Sequence, residues 1–150
     1  MSLSSLSVIE LSKKLKKGEI KSEELVKSYI EQINKKDKQI EAWEFFEPDL
    51  AISQAKKLDA DRQAGKVQGD LHGIPVGIKD IFDTEDMPTL DGSEAHKKNP
   101  SLNDCTVVSK LKQAGAIIMG KTVTAELAYY TPGKTKNPHD PTRTPGGSSM

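Results

Sequence analysis

Two short segments of this sequence carry side chains that can move protons, and the first of them contains Lys79. Lys79 follows the strand-like run Gly73-Ile74-Pro75-Val76-Gly77-Ile78. Strand alternation places Lys79 on the same face as Gly77, and Asp80 on the opposite face. If the face of Lys79 turns inward, desolvation lowers the pKa of the amine, which could then act as a general base near neutral pH. The alternative is an ordinary strand-end lysine paired with Asp80 or Asp83.

The second segment is Pro145-Gly146-Gly147-Ser148-Ser149, which has no apolar side chain to bury. Gly146 and Gly147 allow backbone torsions that are closed to other residues, and they let the main chain approach a substrate. The hydroxyl of Ser148 or Ser149 could relay a proton between a base and a nucleophile. Linkers and flexible tails have the same composition, so this segment alone leaves both interpretations open.

Other chemistries find less support in the residue pattern. Gly120-Lys121-Thr122 has the ending of a phosphate-binding loop. Gly115 would complete that loop only if the loop replaced the strand expected at residues 116–119. A single cysteine, Cys105, forms no internal disulfide, and no histidine is spaced to activate it as a nucleophile. We therefore expect no metal and no cofactor, with the histidines in loops or on the surface (His72, His96 and His139).

Composition narrows the class of protein. Lys and Arg together number 22, as do Asp and Glu, so no net charge favours nucleic acid or an anionic membrane. No apolar run approaches the ~20 residues that span a bilayer, and residues 1–5 lack the pattern of a secretion signal. These features predict a cytoplasmic protein. The hydrophobic content of 35% is low for a free-standing domain.

The first third of the chain is predicted to be helical. Ser7 and Glu10 form a capping-box pattern at the start of one helix, which should end at Gly18. Ser22 is placed to cap a second helix. A third helix is expected from about residue 49 to residue 64. The apolar stripes expected to pack these helices are Val8, Leu11 and Leu15, then Leu25, Val26, Tyr29, Ile30 and Ile33, then Ala51, Ala55 and Leu58.

After Gly65 the pattern changes to strand, helix and strand. Residues 71–83 are β-rich but interrupted by glycine and proline, which strands built only for packing avoid. A helix after Asp104 and a short buried strand at residues 116–119 follow. This order predicts an α/β fold. We expect residues 1–65 to form an N-terminal helical segment and residues 66–150 the first part of an α/β core.

Five blocks in order carry a resemblance to a known family: Gly73-Ile74-Pro75-Val76-Gly77-Ile78-Lys79-Asp80, Pro88-Thr89 with Gly92-Ser93, Gly120-Lys121-Thr122, Asn137-Pro138, and Pro145-Gly146-Gly147-Ser148-Ser149. Together they resemble the N-terminal portion of the amidase signature family. The resemblance covers the chain from about residue 5. It implies a mixed central sheet with helices on both faces, which would be incomplete in these residues.

The resemblance also implies a mechanism, a Ser–cis-Ser–Lys triad that hydrolyses amides. Lys79 matches the general base, and Ser148 matches the cis-serine that relays the proton, with a cis peptide bond in the Ser148–Ser149 region. Gly146, Gly147 and Ser149 are expected to bind substrate. In the family the nucleophilic serine and the oxyanion hole follow in a later segment. We therefore expect the nucleophile beyond residue 150, in a longer enzyme of which this is the first part.

The expected partner is a small-molecule amide, without direct binding of nucleic acid or membrane; the resemblance leaves a homodimer open. A second interpretation is the glutaminase subunit of a glutamyl/aspartyl-tRNA amidotransferase, which implies a partner enzyme and tRNA. Against it, that subfamily usually has a Met-Gly-Ser stretch where residues 127–134 differ. A third interpretation is an inactive N-terminal fragment, should residues 1–150 be the whole chain.

Overall fold

A computed structural model describes residues 3–96 and 101–150. Four α-helices and three β-strands occur in these residues, in an order that confirms the predicted α/β class. The helices are α1 (Val8–Lys16), α2 (Ser22–Ile40), α3 (Pro48–Gln63) and α4 (Thr106–Gln113). The strands are β1 (Trp43–Phe46), β2 (Pro75–Lys79) and β3 (Ile117–Thr122). Short 3-10 helices lie at Leu3–Ser5 and Glu126–Ala128.

The three strands form one mixed sheet in the order β1-β3-β2. β1 runs antiparallel to β3, with Trp43 opposite Thr122 and Phe46 opposite Gly120. β2 and β3 run parallel, because the amide of Ile117 donates to the carbonyl of Ile74 and, further along both strands, the amide of Asp80 donates to the carbonyl of Thr122. The carboxyl ends of β2 and β3 therefore lie at the same edge of the sheet.

Residues 1–34, 47–76 and 110–119 form a first compact unit. Its core contains Leu11 and Leu15 of α1, Leu25 of α2, and Ile74. The amide side chain of Gln54 in α3 donates to the carbonyl of Ile118 and accepts from its amide, at 3.2 and 3.1 Å. Most of the apolar stripes predicted for the three helices are buried, whereas Val8 is 53% exposed. The buried members are Leu11, Leu15, Leu25, Val26, Ala51, Ala55 and Leu58.

The helix starts in this unit are fixed in two different ways. Ser7 and Glu10 form the predicted capping box at α1, with both reciprocal contacts present. The prediction for α2 was wrong, because α2 begins at Ser22 itself and the cap comes from α3. The carboxylate of Asp59 accepts the amides of Ser22 and Glu23 at 2.8 and 3.0 Å. A carboxylate on the positive end of a helix stabilises it, so a residue 37 positions away replaces the local cap.

His72 lies in the turn before β2, so the prediction of a loop position is confirmed, but its side chain is buried. Its Nδ1 faces the amide of Gln68 at 3.2 Å, and its Nε2 lies 2.8 Å from the carbonyl oxygen of Leu58. Since an amide only donates, Nδ1 accepts and Nε2 carries the proton. Arg62 donates to the carbonyl of the same histidine at 2.8 Å. His72 therefore connects the end of α3 to the segment that leads into β2.

Residues 35–46, 77–109 and 120–150 form a second unit. Two glycines there make room for the ring of Trp43. A Cβ at Gly77 would lie 3.3 Å from the ring, and one at Gly120 would lie 3.0 Å from it. Sequence patterns did not predict β1, which is only four residues long and packs through these glycines. Among the described helices, none combines the length and apolar character needed to span a membrane.

Candidate active site

Lys79 is the last residue of β2, and the chain turns immediately after it. The amides of Ile81 and Phe82 both donate to its carbonyl oxygen, at 2.8 and 3.1 Å. Its side chain is only partly buried, whereas its neighbours Ile78 and Asp80 are buried. The buried face of the strand is therefore that of Ile78 and Asp80, and the inward turn considered for the face of Lys79 is met only in part.

Nζ of Lys79 donates to Oγ of Ser148 at 2.7 Å, although the two residues are 69 positions apart. This contact lies within the second unit. The structure thus brings together the two residues that the sequence singled out as base and relay. A separation of 2.7 Å is short enough for direct proton transfer between the amine and the hydroxyl.

Ser148 is held by the segment that follows β3. Its carbonyl oxygen accepts the amide of Ala125 at 3.0 Å and lies 3.1 Å from Oγ1 of Thr124. Ser149 forms an antiparallel bridge with Thr124, and the amide of Met150 donates to the carbonyl of Val123 at 3.2 Å. We call residues 148–150 the serine arm. The arm docks by its main chain, which leaves the hydroxyl of Ser148 to face Lys79.

Gly146 and Gly147 precede the arm and turn the chain towards it. Both have positive φ angles, +88° and +71°, and a Cβ at either would meet no atom within 4 Å. Glycine is therefore needed at these positions for its torsions and not for space. Ser149 is exposed. Gly147 and Ser149 adjoin Ser148 in the chain, and Gly146 precedes Gly147. The substrate-binding role of these three residues stays a prediction.

The peptide bonds of Ser148 differ from the expectation drawn from the resemblance. All peptide bonds of the described residues are trans, so the Ser148–Ser149 region contains no cis bond. A cis bond before a residue other than proline costs roughly 2.5–4 kcal/mol, and the described contacts of the arm are satisfied with trans geometry. The contact between Lys79 and Ser148 therefore does not depend on a cis bond in this structure.

Asp80 and Lys121 form a buried pair that sequence reasoning missed. Nζ of Lys121 lies 3.0 Å from Oδ1 of Asp80, and the two side chains are 1% and 0% exposed for Asp80 and Lys121 respectively. Burial raises the pKa of the Asp80 carboxyl, and the hydrogen bond and positive charge of Lys121 oppose that rise. The signal available in the sequence was a lysine inside the apolar strand β3, where a cation requires a partner.

The loop after β3 carries strained backbone next to the serine arm. Leu127 and Ala128 have positive φ angles of 49° and 56°, which residues other than glycine rarely adopt. The amide of Leu127 donates to the carbonyl of Asp91 at 2.7 Å and holds the loop in place. The loop presents Tyr129 and Tyr130 to solvent, and together with Gly147 they line a cavity of about 240 Å³.

A larger cavity of about 530 Å³ in the same unit is lined by polar and charged residues that include Glu44, Ser93, His96 and Lys134. Within residues 3–96 and 101–150, no three His, Cys, Asp or Glu side chains lie close enough together to hold a metal ion. The amide of Cys105 donates to the carbonyl of Asp83, at 3.0 Å.

Comparison with known proteins gives consistent matches. A family model described as "Amidase" matches residues 24–150. An amidase of Pseudomonas putida is 41% identical over 147 residues, which cover 97% of this chain and 31% of that protein. A subunit of the glutamyl-tRNA(Gln) amidotransferase of Thermobifida fusca is 40% identical over 150 residues, which cover 96% of this chain and 30% of that protein.

Solved structures match as well. The native peptide amidase of Stenotrophomonas maltophilia superimposes with a TM-score of 0.89 at 31% identity, over 97% of this chain and 32% of that one. A peptide amidase bound to the competitive inhibitor chymostatin gives a TM-score of 0.91 at 30% identity, over 99% and 33%. The chain thus spans about a third of the length of each of these relatives and structures.

Proposed function

This chain belongs to the amidase family, and on that premise we propose that it is part of an enzyme that hydrolyses a carbon–nitrogen amide bond through an acyl-enzyme. Lys79 is the general base and Ser148 the proton relay. The observation that carries this proposal is the 2.7 Å contact between Nζ of Lys79 and Oγ of Ser148. The substrate is a small-molecule amide.

The proton path follows from the two side chains. A neutral Lys79 accepts the proton of the Ser148 hydroxyl, and Ser148 accepts the proton of a nucleophilic serine. That serine adds to the amide carbonyl and forms a carbon–oxygen bond, and the tetrahedral intermediate then expels the amine as the carbon–nitrogen bond breaks. The proton returns along the same path to the departing amine. Water then repeats the sequence on the acyl-enzyme and releases the acid.

Ser148 suits the relay role because its two ends have separate tasks. Its carbonyl oxygen is held by Ala125 and Thr124, while its hydroxyl is left to Lys79. A relay must keep one position while its proton moves, since misplacement of a reacting group by about 1 Å can cost about a hundredfold in rate. The contacts of the Ser148 carbonyl oxygen with Ala125 and Thr124 hold the residue in one position, as a relay requires.

The nucleophile in this proposal is a serine outside residues 1–150. The resemblance assigns the nucleophile and the oxyanion hole to a segment after the relay serine. The greater length of the relatives supports the assignment. Within this scheme residues 1–65 form the N-terminal helical segment and residues 66–150 the first part of the catalytic core. Gly146, Gly147 and Ser149 border the substrate, where an exposed glycine backbone can approach it closely.

The test is labelling with a fluorophosphonate, a probe that reacts with activated serines. The protein is purified from its natural source, labelled, and digested for mass spectrometry. We expect the label on a peptide whose sequence does not occur in residues 1–150, and we expect amide hydrolysis to stop as labelling proceeds. A label on Ser148 or Ser149 would overturn the relay assignment, and activity unaffected by complete labelling would overturn the acyl-enzyme.

A second candidate is the glutaminase subunit of a tRNA-dependent amidotransferase. The similarity to the Thermobifida fusca protein, which is at nearly the same identity as that to the Pseudomonas putida amidase, favours it. The segment 127–134, Leu-Ala-Tyr-Tyr-Thr-Pro-Gly-Lys, favours the stand-alone amidase, which we prefer. Glutaminase activity that requires a co-purifying second protein would reverse this order. Hydrolysis by the isolated protein without such a partner supports the amidase.

A further inference from the structure

The buried pair of Asp80 and Lys121 has no part in the proton path described above, yet it lies directly beside it in the chain. Asp80 follows Lys79. Lys121 precedes by three positions Thr124, whose hydroxyl lies 3.1 Å from the carbonyl oxygen of Ser148. Asp80 extends β2 and Lys121 lies in β3, which are neighbouring parallel strands. The pair therefore connects the strand end that carries the base to the strand end that carries the relay.

Asp80 is fixed through every polar group it has. Its amide donates to the carbonyl of Thr122 at 2.9 Å, and its carbonyl accepts the amide of Asp91 at 3.0 Å. Its Oδ2 accepts the amide of Leu90 at 3.2 Å. Its Oδ1 lies 3.0 Å from Nζ of Lys121 in a contact held more by charge than by a well-directed hydrogen bond. The main chain next to Lys79 therefore has little freedom to move.

Lys121 is fixed just as completely. Its Nζ donates to the carbonyl of Pro88 at 3.0 Å and to Oγ1 of Thr89 at 2.6 Å, in addition to its contact with Asp80. Two of its donors are thus used in hydrogen bonds, and the third contact is the ion pair with Asp80. One buried cation thus joins β3, the residue after β2 and the segment around residue 88.

Stability alone is a weak reason for such a pair. Replacing a buried ion pair by apolar side chains of similar volume is often neutral or stabilising, because desolvation offsets the attraction between the charges. Both charges here converge on the two strand ends that bear Lys79 and the serine arm. In some proteins a buried charged pair is retained because it selects one packing arrangement among several.

We propose that Asp80 and Lys121 are positioning residues that hold Nζ of Lys79 within hydrogen-bond distance of Oγ of Ser148. The proposal rests on the proposed function for its catalytic consequence, but its geometric content can be measured without activity. A pair that sets this distance must, when removed, release Lys79 from Ser148 even if the chain stays folded.

The experiment compares Asp80→Asn and the double variant Asp80→Asn/Lys121→Met with the control Asp59→Asn. The double variant removes both charges, so no unpaired ion is buried and the fold is retained. Asp59 caps α2 in the other unit, and its described contacts include neither member of the pair. Its variant reports the effect of general destabilisation.

The measured quantity is the rate of trace acetylation of Lys79 relative to Lys17, read by peptide mass spectrometry on folded protein. The side chain of Lys17 is 71% exposed and serves as the internal reference. We expect the hydrogen bond to Ser148 to slow the acetylation of Lys79 in the parent protein by about fivefold, a factor of the size that one hydrogen bond supports. The double variant should lose this protection, and Asp59→Asn should keep it. Full protection of Lys79 in the folded double variant would overturn the proposal.

Kinetics on the active protein separate this inference from the proposed function. In the double variant kcat should fall by about tenfold or more while KM changes little, because orientation of the base matters in the transition state. Unchanged kcat with an unprotected Lys79 would overturn the catalytic role of the pair. A parent protein without amidase activity would instead overturn the proposed function, and the acetylation ratio would still test the geometry.

Discussion

Oγ1 of Thr124 lies 3.1 Å from the carbonyl oxygen of Ser148, and the amide of Ala125 donates to the same oxygen at 3.0 Å. Thr124 is itself buried. Ser148, the proposed relay, is thus attached to the sheet through a residue just beyond β3, while Lys79, the proposed base, lies at the end of β2. The distance between Lys79 and Ser148 therefore depends on how β2 and β3 pair in the sheet.

Replacing Thr124 by Val tests this attachment. Valine keeps the shape but removes the donor, so the serine arm loses one of its main-chain contacts. We expect the free energy of unfolding in urea to fall by about 1–2 kcal/mol, the cost of a buried hydrogen bond with an acceptor left behind. The exposed neighbour Ser149 provides the control, since Ser149→Ala should change the free energy of unfolding by less than about 0.5 kcal/mol. Equal stabilities of the two variants would contradict the attachment.

Replacing Lys79 by Met tests the base. Methionine retains much of the length of the side chain but not the amine, so no group remains to take the proton from Ser148. We expect kcat/KM for amide hydrolysis to fall by about 10²–10⁴, the range for general-base catalysis. The melting temperature should change little, since the side chain is only partly buried. Lys17→Met is the matched control, and turnover near the parent value in Lys79→Met would refute the assignment.

Ser148→Ala and Ser149→Ala form a matched pair on the serine arm. The arm docks through main-chain atoms, so alanine at either position leaves it in place. Only the first variant removes the oxygen that lies 2.7 Å from Nζ of Lys79. We expect kcat to fall by about 10² or more in Ser148→Ala, because the proton path is broken. Steady-state kinetics would show a much smaller loss in Ser149→Ala, and the opposite order would assign the relay to Ser149.

The dependence of stability on pH should reveal Asp80. Burial raises the pKa of its carboxyl above the ordinary 3.8, so the folded state holds this proton more tightly than the unfolded state. The stabilisation that this bound proton contributes is complete below pH 3.8 and is lost as the pH rises through the raised pKa of Asp80. Urea unfolding over this window should therefore show a downward slope that Asp80→Asn lacks. Parallel profiles for the two proteins would contradict it.

Comparison with the parent is needed because other carboxyls act in the opposite direction. Hydrogen bonds from Ser7 lower the pKa of Glu10, and hydrogen bonds from Thr142 lower the pKa of Asp140. Their stabilising effect is present above the unfolded values and is lost as the pH falls through the lowered ones. Only the difference between the profiles of the parent and Asp80→Asn isolates the buried carboxyl.

Local patterns were sufficient where a feature depends on neighbours in the sequence. The capping box at Ser7 and the buried stripe of α3 followed from spacing alone. The cap of α2 could not be predicted, because Asp59 lies 37 positions from Ser22 and a serine at the helix start is a good local candidate. Likewise, nothing near Lys121 in the sequence identifies Asp80 as its partner.

The candidate site shows the same limit more sharply. The local sequence around Lys79 also fits an ordinary strand-end lysine, and that around Ser148 also fits a flexible linker. The two residues are 69 positions apart, and no sequence spacing predicts that they meet. Family resemblance paired them, and the sheet explains how they meet. The resemblance also led to an expected cis bond, which the described structure does not contain.

Trp43 is the only tryptophan of the chain, and its ring lies over Gly77 and Gly120, on the two strands that lead to Lys79 and to the serine arm. Indole emission depends on the polarity around the ring. Within residues 1–150, the emission of Trp43 is therefore an intrinsic optical reporter of the two strands beneath the site. A stopped-flow trace at the tryptophan wavelength would follow their assembly and loss, independently of any substrate.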